Sequence, residues 1–174
     1  AFETLGNNHH LVFYDQRGSL RSPAPDSLIS VRKHIQDLEL LRKELNLNRL
    51  NLVGHSMGTF LCGFYLQNYP EHVERLTLLA LVYPKTPDSE EEKQLFKNQQ
   101  KAAAEFFKRP EIQDEIREED LDNDSLSDKE ASNKWRIGFA GTNIYNVERW
   151  REVKGGMAFY NQKAGTAAGN TLPN

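Results

Sequence analysis

Two glycines flank a serine in Gly54-His55-Ser56-Met57-Gly58, and this pentapeptide stands between an apolar run and a helix-forming one. Few chain paths suit that arrangement. Leu50, Leu52 and Val53 read as a buried parallel strand. Phe60, Leu61, Phe64, Tyr65 and Leu66 give the following segment a helical apolar stripe, which Pro70 stops. The run from Arg75 to Val82 then reads as the next buried strand. Strand, glycine-serine-glycine turn, helix and strand make a βαβ unit with a nucleophile elbow at its first turn. Such a turn places Ser56 in strained geometry at the strand's C-terminal end, with its hydroxyl bare. Side chains at positions 54 and 58 are expected to collide with the neighbouring strand and helix. The turn also directs the Met57 N–H, the first of the new helix, at an oxyanion developing on substrate. Ser56 is therefore the candidate nucleophile, and Met57 a candidate backbone oxyanion donor.

Composition narrows the class. A chain of 174 residues can build one domain with a proper core, and a net charge of −3 shows no electrostatic footprint for nucleic acid. No apolar run reaches the ~18 residues of a membrane span. The single cysteine, Cys62, lies on the apolar helix after the elbow and is expected in the core. One cysteine forms no intrachain disulfide, which favours a reducing, cytoplasmic setting. The chain starts at Ala1, so a signal peptide removed from its start is compatible with this reading.

Before the elbow, residues 1–8 read as a helix tail ending at Gly6. Residues 11–14 (Leu-Val-Phe-Tyr) read as a strand, and Asp15-Gln16-Arg17-Gly18 as the turn after it. Asp26 or Ser27 is expected to cap a helix whose buried face carries Leu28, Val31, Ile35, Leu38, Leu41 and Leu45. Residues 83–87 close the strand that follows the elbow helix. From Asp88 the character changes. Residues 93–108 are helical and polar. Asp114, Glu115, Glu118, Glu119, Asp120, Asp122, Asp124, Asp128 and Glu130 face only Arg117 and Lys129, and read as a solvated helix-and-loop surface. No histidine lies near them and their spacing fits no ion loop, so no metal is expected. Trp135, Phe139, Tyr145, Trp150, Phe159 and Tyr160 either line a pocket or cover a helical subdomain. The Ala-, Gly- and Asn-rich end reads as a linker. The domain reading is thus 1–87 for part of the core with the elbow, 88–163 for a helical cap, and 164–174 for a linker toward further core.

Four segments together resemble the α/β-hydrolase superfamily. They are Phe13-Tyr14-Asp15-Gln16-Arg17-Gly18, the helix around Asp37-Leu38-Glu39-Leu40-Leu41-Arg42, Gly54-His55-Ser56-Met57-Gly58, and Tyr69-Pro70-Glu71-His72-Val73. The wording from Asp15 to Pro23 is most similar to the proline iminopeptidase branch. The resemblance is specific over residues 10–84 and architectural over 88–174, where the family inserts a helical cap. Leu20 replaces that branch's second glycine, and its elbow is usually G-G-S-W-G. A histidine before the serine, here His55, is common in esterase-type relatives.

The resemblance implies an α/β fold: a partial parallel sheet with flanking helices plus a helical cap. It also implies an oxyanion loop upstream of Asp15, and a triad acid and histidine after the cap. None of His9, His10, His34, His55 and His72 follows the cap. His55 points away from the neighbouring hydroxyl, and His34 and His72 are expected at the surface. The triad acid and histidine are therefore expected outside this chain. In the family, the strand bearing the oxyanion loop separates the 11–14 strand from the 50–53 strand. Residues 1–174 alone are expected to be inactive and to need the remaining parts of the hydrolase core. Asp15 is expected to organise loops.

Three functions follow from the resemblance. One is a serine hydrolase working through an acyl-enzyme, an aminopeptidase releasing amino-terminal proline. The second is a carboxylesterase or acyl hydrolase of small esters. The third is a non-catalytic binding protein that keeps the elbow. For the peptidase, a cap carboxylate must meet the substrate ammonium, and Glu148 beside Trp150 is the candidate. The partner is a short peptide or small molecule, and no cofactor is needed, because an activated serine and backbone donors carry acyl transfer.

Overall fold

The computed structural model describes residues 3–81, 88–152 and 160–172. Val82, residues 83–87, Phe159 and the last two residues, which the expectations above also cover, lie outside these. The βαβ unit is present. Strand β1 (Leu50–His55) leads through the serine turn into helix α2 (Gly58–Asn68), and strand β2 (Val73–Leu79) returns parallel to β1. Helix α1 (Val31–Glu44) precedes them and packs on α2. Val31, Ile35, Leu52, Cys62 and Tyr65 form the buried centre, with Leu38, Leu61, Phe64, Val73 and Leu76 around it. Leu52 and Gly54 turn toward the helices, while Asn51, Val53 and His55 turn to the exposed face, as strand alternation requires. Cys62 is a buried core residue whose thiol pKa is pushed up by burial, which keeps it protonated and unreactive.

Several expectations need correction. Residues 11–14 form no strand, and Phe13 is 76% exposed. A strand exists through ladder hydrogen bonds, and β1 pairs only with β2 among the described residues. Helix α1 starts later than predicted. Ser30, not Asp26 or Ser27, caps it by accepting from the Lys33 N–H, and Leu28 sits in a preceding 3₁₀ turn with its side chain exposed. Glu3–Asn7 is likewise a 3₁₀ turn, extending past Gly6.

The second half is helical: α3 (Glu90–Phe107), α4 (Pro110–Glu118), α5 (Asp128–Asn143), a 3₁₀ turn at Val147–Glu152, and α6 (Gln162–Gly169). Ser127 and Glu130 form a reciprocal capping box at the start of α5. Ile112, Ile116, Leu121, Ile137, Ala140, Val147 and Trp150 make a second buried core. The stretch read as a linker is instead folded from Gln162 to Gly169. Asn161 caps that helix, and its far end docks on the first core. There the Thr171 hydroxyl oxygen accepts from the Val31 N–H at 2.9 Å, and Leu172 packs against the core. Gly18 makes this approach possible: with φ at +86°, a Cβ there would lie 2.7 Å from the Ala164 Cβ.

The acidic stretch is not all solvated. Glu115 is 6% exposed and accepts from the Trp150 indole N–H at 2.9 Å and from Arg151 at 3.0 Å. A buried carboxylate requires such partners. Among the described residues, no helix is long and apolar enough to cross a membrane.

Candidate active site

Ser56 has φ +50° between β1 and α2. A side-chain-bearing residue in the left-handed region costs about 1–2 kcal/mol, so surrounding bonds must hold it there. Three do. The Ser56 N–H donates to the Leu79 carbonyl at 3.0 Å, tying the turn to the end of β2. The Ser56 carbonyl accepts from the Thr59 N–H at 2.9 Å and from the Thr59 hydroxyl at 2.6 Å. Thr59 is 2% exposed, so this clamp is shielded from water. The serine is left half-buried at the turn's apex, and the Met57 side chain is exposed. Met57 is already right-handed helical as the residue that opens α2. Among the described residues none accepts from the Met57 N–H, which leaves that donor available to a ligand oxygen. First-turn N–H groups of a helix have no partner within the helix.

The two elbow glycines behave differently. A Cβ on Gly54 would lie 2.7 Å from the Gly58 carbonyl oxygen and 2.9 Å from the Cys62 Sγ. On Gly58 it would meet nothing within 4 Å, so the expected collision holds only at position 54. Gly54→Ala is expected to cost about 1–3 kcal/mol, because backbone cannot move aside as a flexible side chain can. Gly58→Ala is expected to be neutral or to stabilise α2 by up to about 1 kcal/mol. Denaturant melts of both variants in the natural protein measure the difference.

The other expected residues lie apart from this turn. His55 is exposed. Of His34 and His72, both expected at the surface, His72 is half-buried and His34 is buried. His34 is 5% exposed on α1, its Nδ1 is buried without a hydrogen-bond partner, and burial lowers its pKa. Its burial beside the 14–17 turn and α6 is a tertiary fact that a histidine's sequence neighbours do not carry. His72 Nδ1 lies 3.2 Å from the Glu39 carboxylate. No histidine is hydrogen-bonded to the Ser56 hydroxyl among the described residues. Asp15 pairs with Arg21 at 2.8 Å, while Arg17 grips Asp37 of α1 through two bonds of 2.5 Å. The turn thereby fastens to α1, which suits a loop-organising role. Glu148 is exposed in the 3₁₀ turn that also holds Trp150. The carboxylate that meets Trp150 is Glu115, which the sequence did not single out; its indole and guanidinium partners lie more than thirty positions away.

Comparison with known proteins identifies the family. Residues 2–148 match the alpha/beta hydrolase fold family, to which the chain belongs. Among its relatives is an abhydrolase domain-containing protein of Caenorhabditis elegans, 38% identical over 82 residues, covering 45% of this chain and 18% of that protein. A putative proline iminopeptidase of Mycoplasma pneumoniae is 35% identical over 81 residues, 45% of this chain and 26% of its own length. A 1-acylglycerol-3-phosphate O-acyltransferase of Arabidopsis thaliana is 31% identical over 84 residues, 45% and 20% of the two chains. The matched segment thus spans between 18% and 26% of these relatives. A marine microorganism esterase of known structure aligns with a TM-score of 0.41 and 26% identity, over 79% of this chain and 45% of its own.

Proposed function

We propose that Ser56 is the nucleophile of a serine hydrolase that works through an acyl-enzyme. The observation that carries this is its left-handed backbone, clamped by Thr59 and Leu79 at a strand-to-helix turn. Strain of this kind is kept where function needs it. The hydroxyl oxygen attacks the substrate carbonyl carbon while a general base takes its proton. The carbonyl π bond opens to an oxyanion that the Met57 N–H can meet. The intermediate re-forms the carbonyl, and the leaving amine or alcohol departs with the proton. Water then repeats the sequence on the ester and frees Ser56.

Within that chemistry we favour release of amino-terminal proline, on the Asp15-to-Pro23 wording and the iminopeptidase relatives. Ester substrates are the second reading, on the histidine before the serine, His55. Rates on proline anilide and on a nitrophenyl ester separate the two. For the peptidase, Glu148→Gln is expected to raise KM for the anilide severalfold and leave the ester unchanged. Equal changes on both would remove Glu148 as the ammonium anchor, and an anilide rate at background would remove the peptidase.

A further inference from the structure

A cleft of about 270 Å³ lies where α6 meets α1 and the turn after residue 13. Tyr14, Asp15 and Arg17 reach it from the turn, His34 from α1, Ala168 from α6, and Tyr160 from just before α6. Neither Ser56 nor Met57 lines it. His34 forms part of the wall with 5% of its surface exposed, and its Nδ1 is buried without a hydrogen-bond partner. A polar atom orphaned in a buried place destabilises the fold until something pairs with it. Burial holds the imidazole pKa below its ordinary value, so the ring is uncharged at neutral pH.

The charged groups of the wall are already neutralised. Asp15 pairs with Arg21 at 2.8 Å, and Arg17 with Asp37 at 2.5 Å. The cleft therefore presents a hydrogen-bonding nitrogen to an uncharged ligand and no spare counter-ion to a charged one. The rest of the wall is aromatic or small. The Tyr160 ring is backed by Trp135, 4.5 Å away between centroids, and Trp135 stacks in turn on Phe139 at 5.3 Å. The Tyr160 hydroxyl rests on Gly165, where a Cβ would collide with that oxygen. A ring fixed on two sides loses little freedom when another flat ring lies against it. Tyr14 supplies a second ring, and Ala168 a surface no larger than a methyl group.

From the orphaned imidazole nitrogen in this aromatic cleft we infer a binding site for an uncharged phenol, its hydroxyl on His34 and its ring against Tyr160 and Tyr14. A hydroxyl both donates and accepts, so it satisfies Nδ1 in either tautomer of the neutral ring. Rotation about χ2, whose wells are broad for a histidine, brings that nitrogen to the incoming hydroxyl. An aliphatic alcohol lacks the ring contact, and a carboxylate meets a wall whose guanidinium is already paired. The inference uses no property of Ser56 and goes beyond the acyl-enzyme reading.

The test is a titration of the natural protein, labelled with nitrogen-15 at histidine and followed by its imidazole nitrogen shifts, with phenol, cyclohexanol and benzoate as probes. Phenol is expected to move the His34 resonance, assigned by its loss in His34→Phe, along a saturable curve. Cyclohexanol is expected to bind at least about threefold more weakly for want of the ring contact, and benzoate at least about tenfold for want of a counter-ion. His34→Phe keeps a flat ring of similar size and removes only the nitrogens. It is expected to weaken phenol binding, read by saturation transfer to the ligand, about fivefold or more, and to raise the urea midpoint because a buried orphan is gone. Ala168→Leu fills the cleft and leaves the imidazole in place; it is expected to weaken phenol about tenfold. Ser56→Ala is expected to bind phenol as wild type does, so failure of the hydrolase reading stays separate. A His34 resonance that phenol does not move, or phenol binding equal in wild type, His34→Phe and Ala168→Leu, would overturn the site. So would a lower urea midpoint in His34→Phe, which would show the nitrogen to be paired within the fold.

Discussion

Ser56→Ala is expected to lower kcat by at least about a thousandfold on whichever acyl substrate the natural protein turns over, with KM little changed. Removing a serine nucleophile elsewhere costs up to about a millionfold, and the remainder reflects binding and oxyanion donors. The same change should abolish covalent labelling by a fluorophosphonate, read as a mass increment on the peptide holding Ser56. A second substitution separates chemistry from architecture. Ser56 sits at φ +50°, a conformation that glycine adopts freely. Ser56→Gly is therefore expected to stabilise the fold by roughly 1 kcal/mol while removing turnover. A residue whose deletion raises stability and ends activity is held in place for its chemistry. Labelling that persists in Ser56→Ala would move the nucleophile to another residue. Unlabelled wild-type protein with an intact fold would favour the binding-protein reading instead.

Local features were legible in the chain before its fold was known. The elbow is one, because five consecutive residues and their flanks define it. The buried face of α1 is another, since Val31 and Ile35 repeat at helical spacing. Pairings set by distant residues were not legible. Residues 11–14 carry strand-like side chains, yet strand formation needs a neighbour that local composition cannot supply. Helix α6 has the small, flexible composition of a linker, but its contacts with α5 and the first core hold it helical. Among the carboxylates of an acidic run, nothing marks Glu115 as the buried one; its partners Trp150 and Arg151 lie more than thirty residues downstream. The α/β-hydrolase fold itself was legible through short motifs, and residues 2–148 match that family. Those motifs speak to backbone geometry, while the Arg17–Asp37 pair that fastens the turn to α1 arises from side chains twenty positions apart.

Glu39 shows how one such long-range pairing should govern stability. It lies on α1 with 4% of its surface exposed, and it accepts from two nitrogens of Arg42 at 2.7 and 2.9 Å. The Tyr65 hydroxyl of α2 donates to it at 2.8 Å, His72 Nδ1 stands 3.2 Å away, and the Lys43 ammonium 3.4 Å. The carboxylate thereby joins α1, α2 and the turn before β2. Hydrogen bonds from Arg42, and then from Tyr65, hold its pKa down from 4.5 to about 2 against the opposing effect of burial. A folded pKa below the unfolded one gives stability that is complete above about pH 4.5 and lost as pH falls toward 2. That contribution is on the order of 3 kcal/mol. Glu39→Ala is expected to cost at least as much, about 3–5 kcal/mol, because the Tyr65 hydroxyl then loses its acceptor in a buried place. Glu74, which meets Arg49 at 2.9 Å with both side chains about half exposed, is the control. Its alanine variant should fall within about 1 kcal/mol of wild type. Urea melts of the natural protein between pH 2 and pH 7 measure all three. Wild type should weaken across the acid limb, and Glu39→Gln should lack most of that slope. Parallel acid limbs in both proteins would place the titrating group elsewhere.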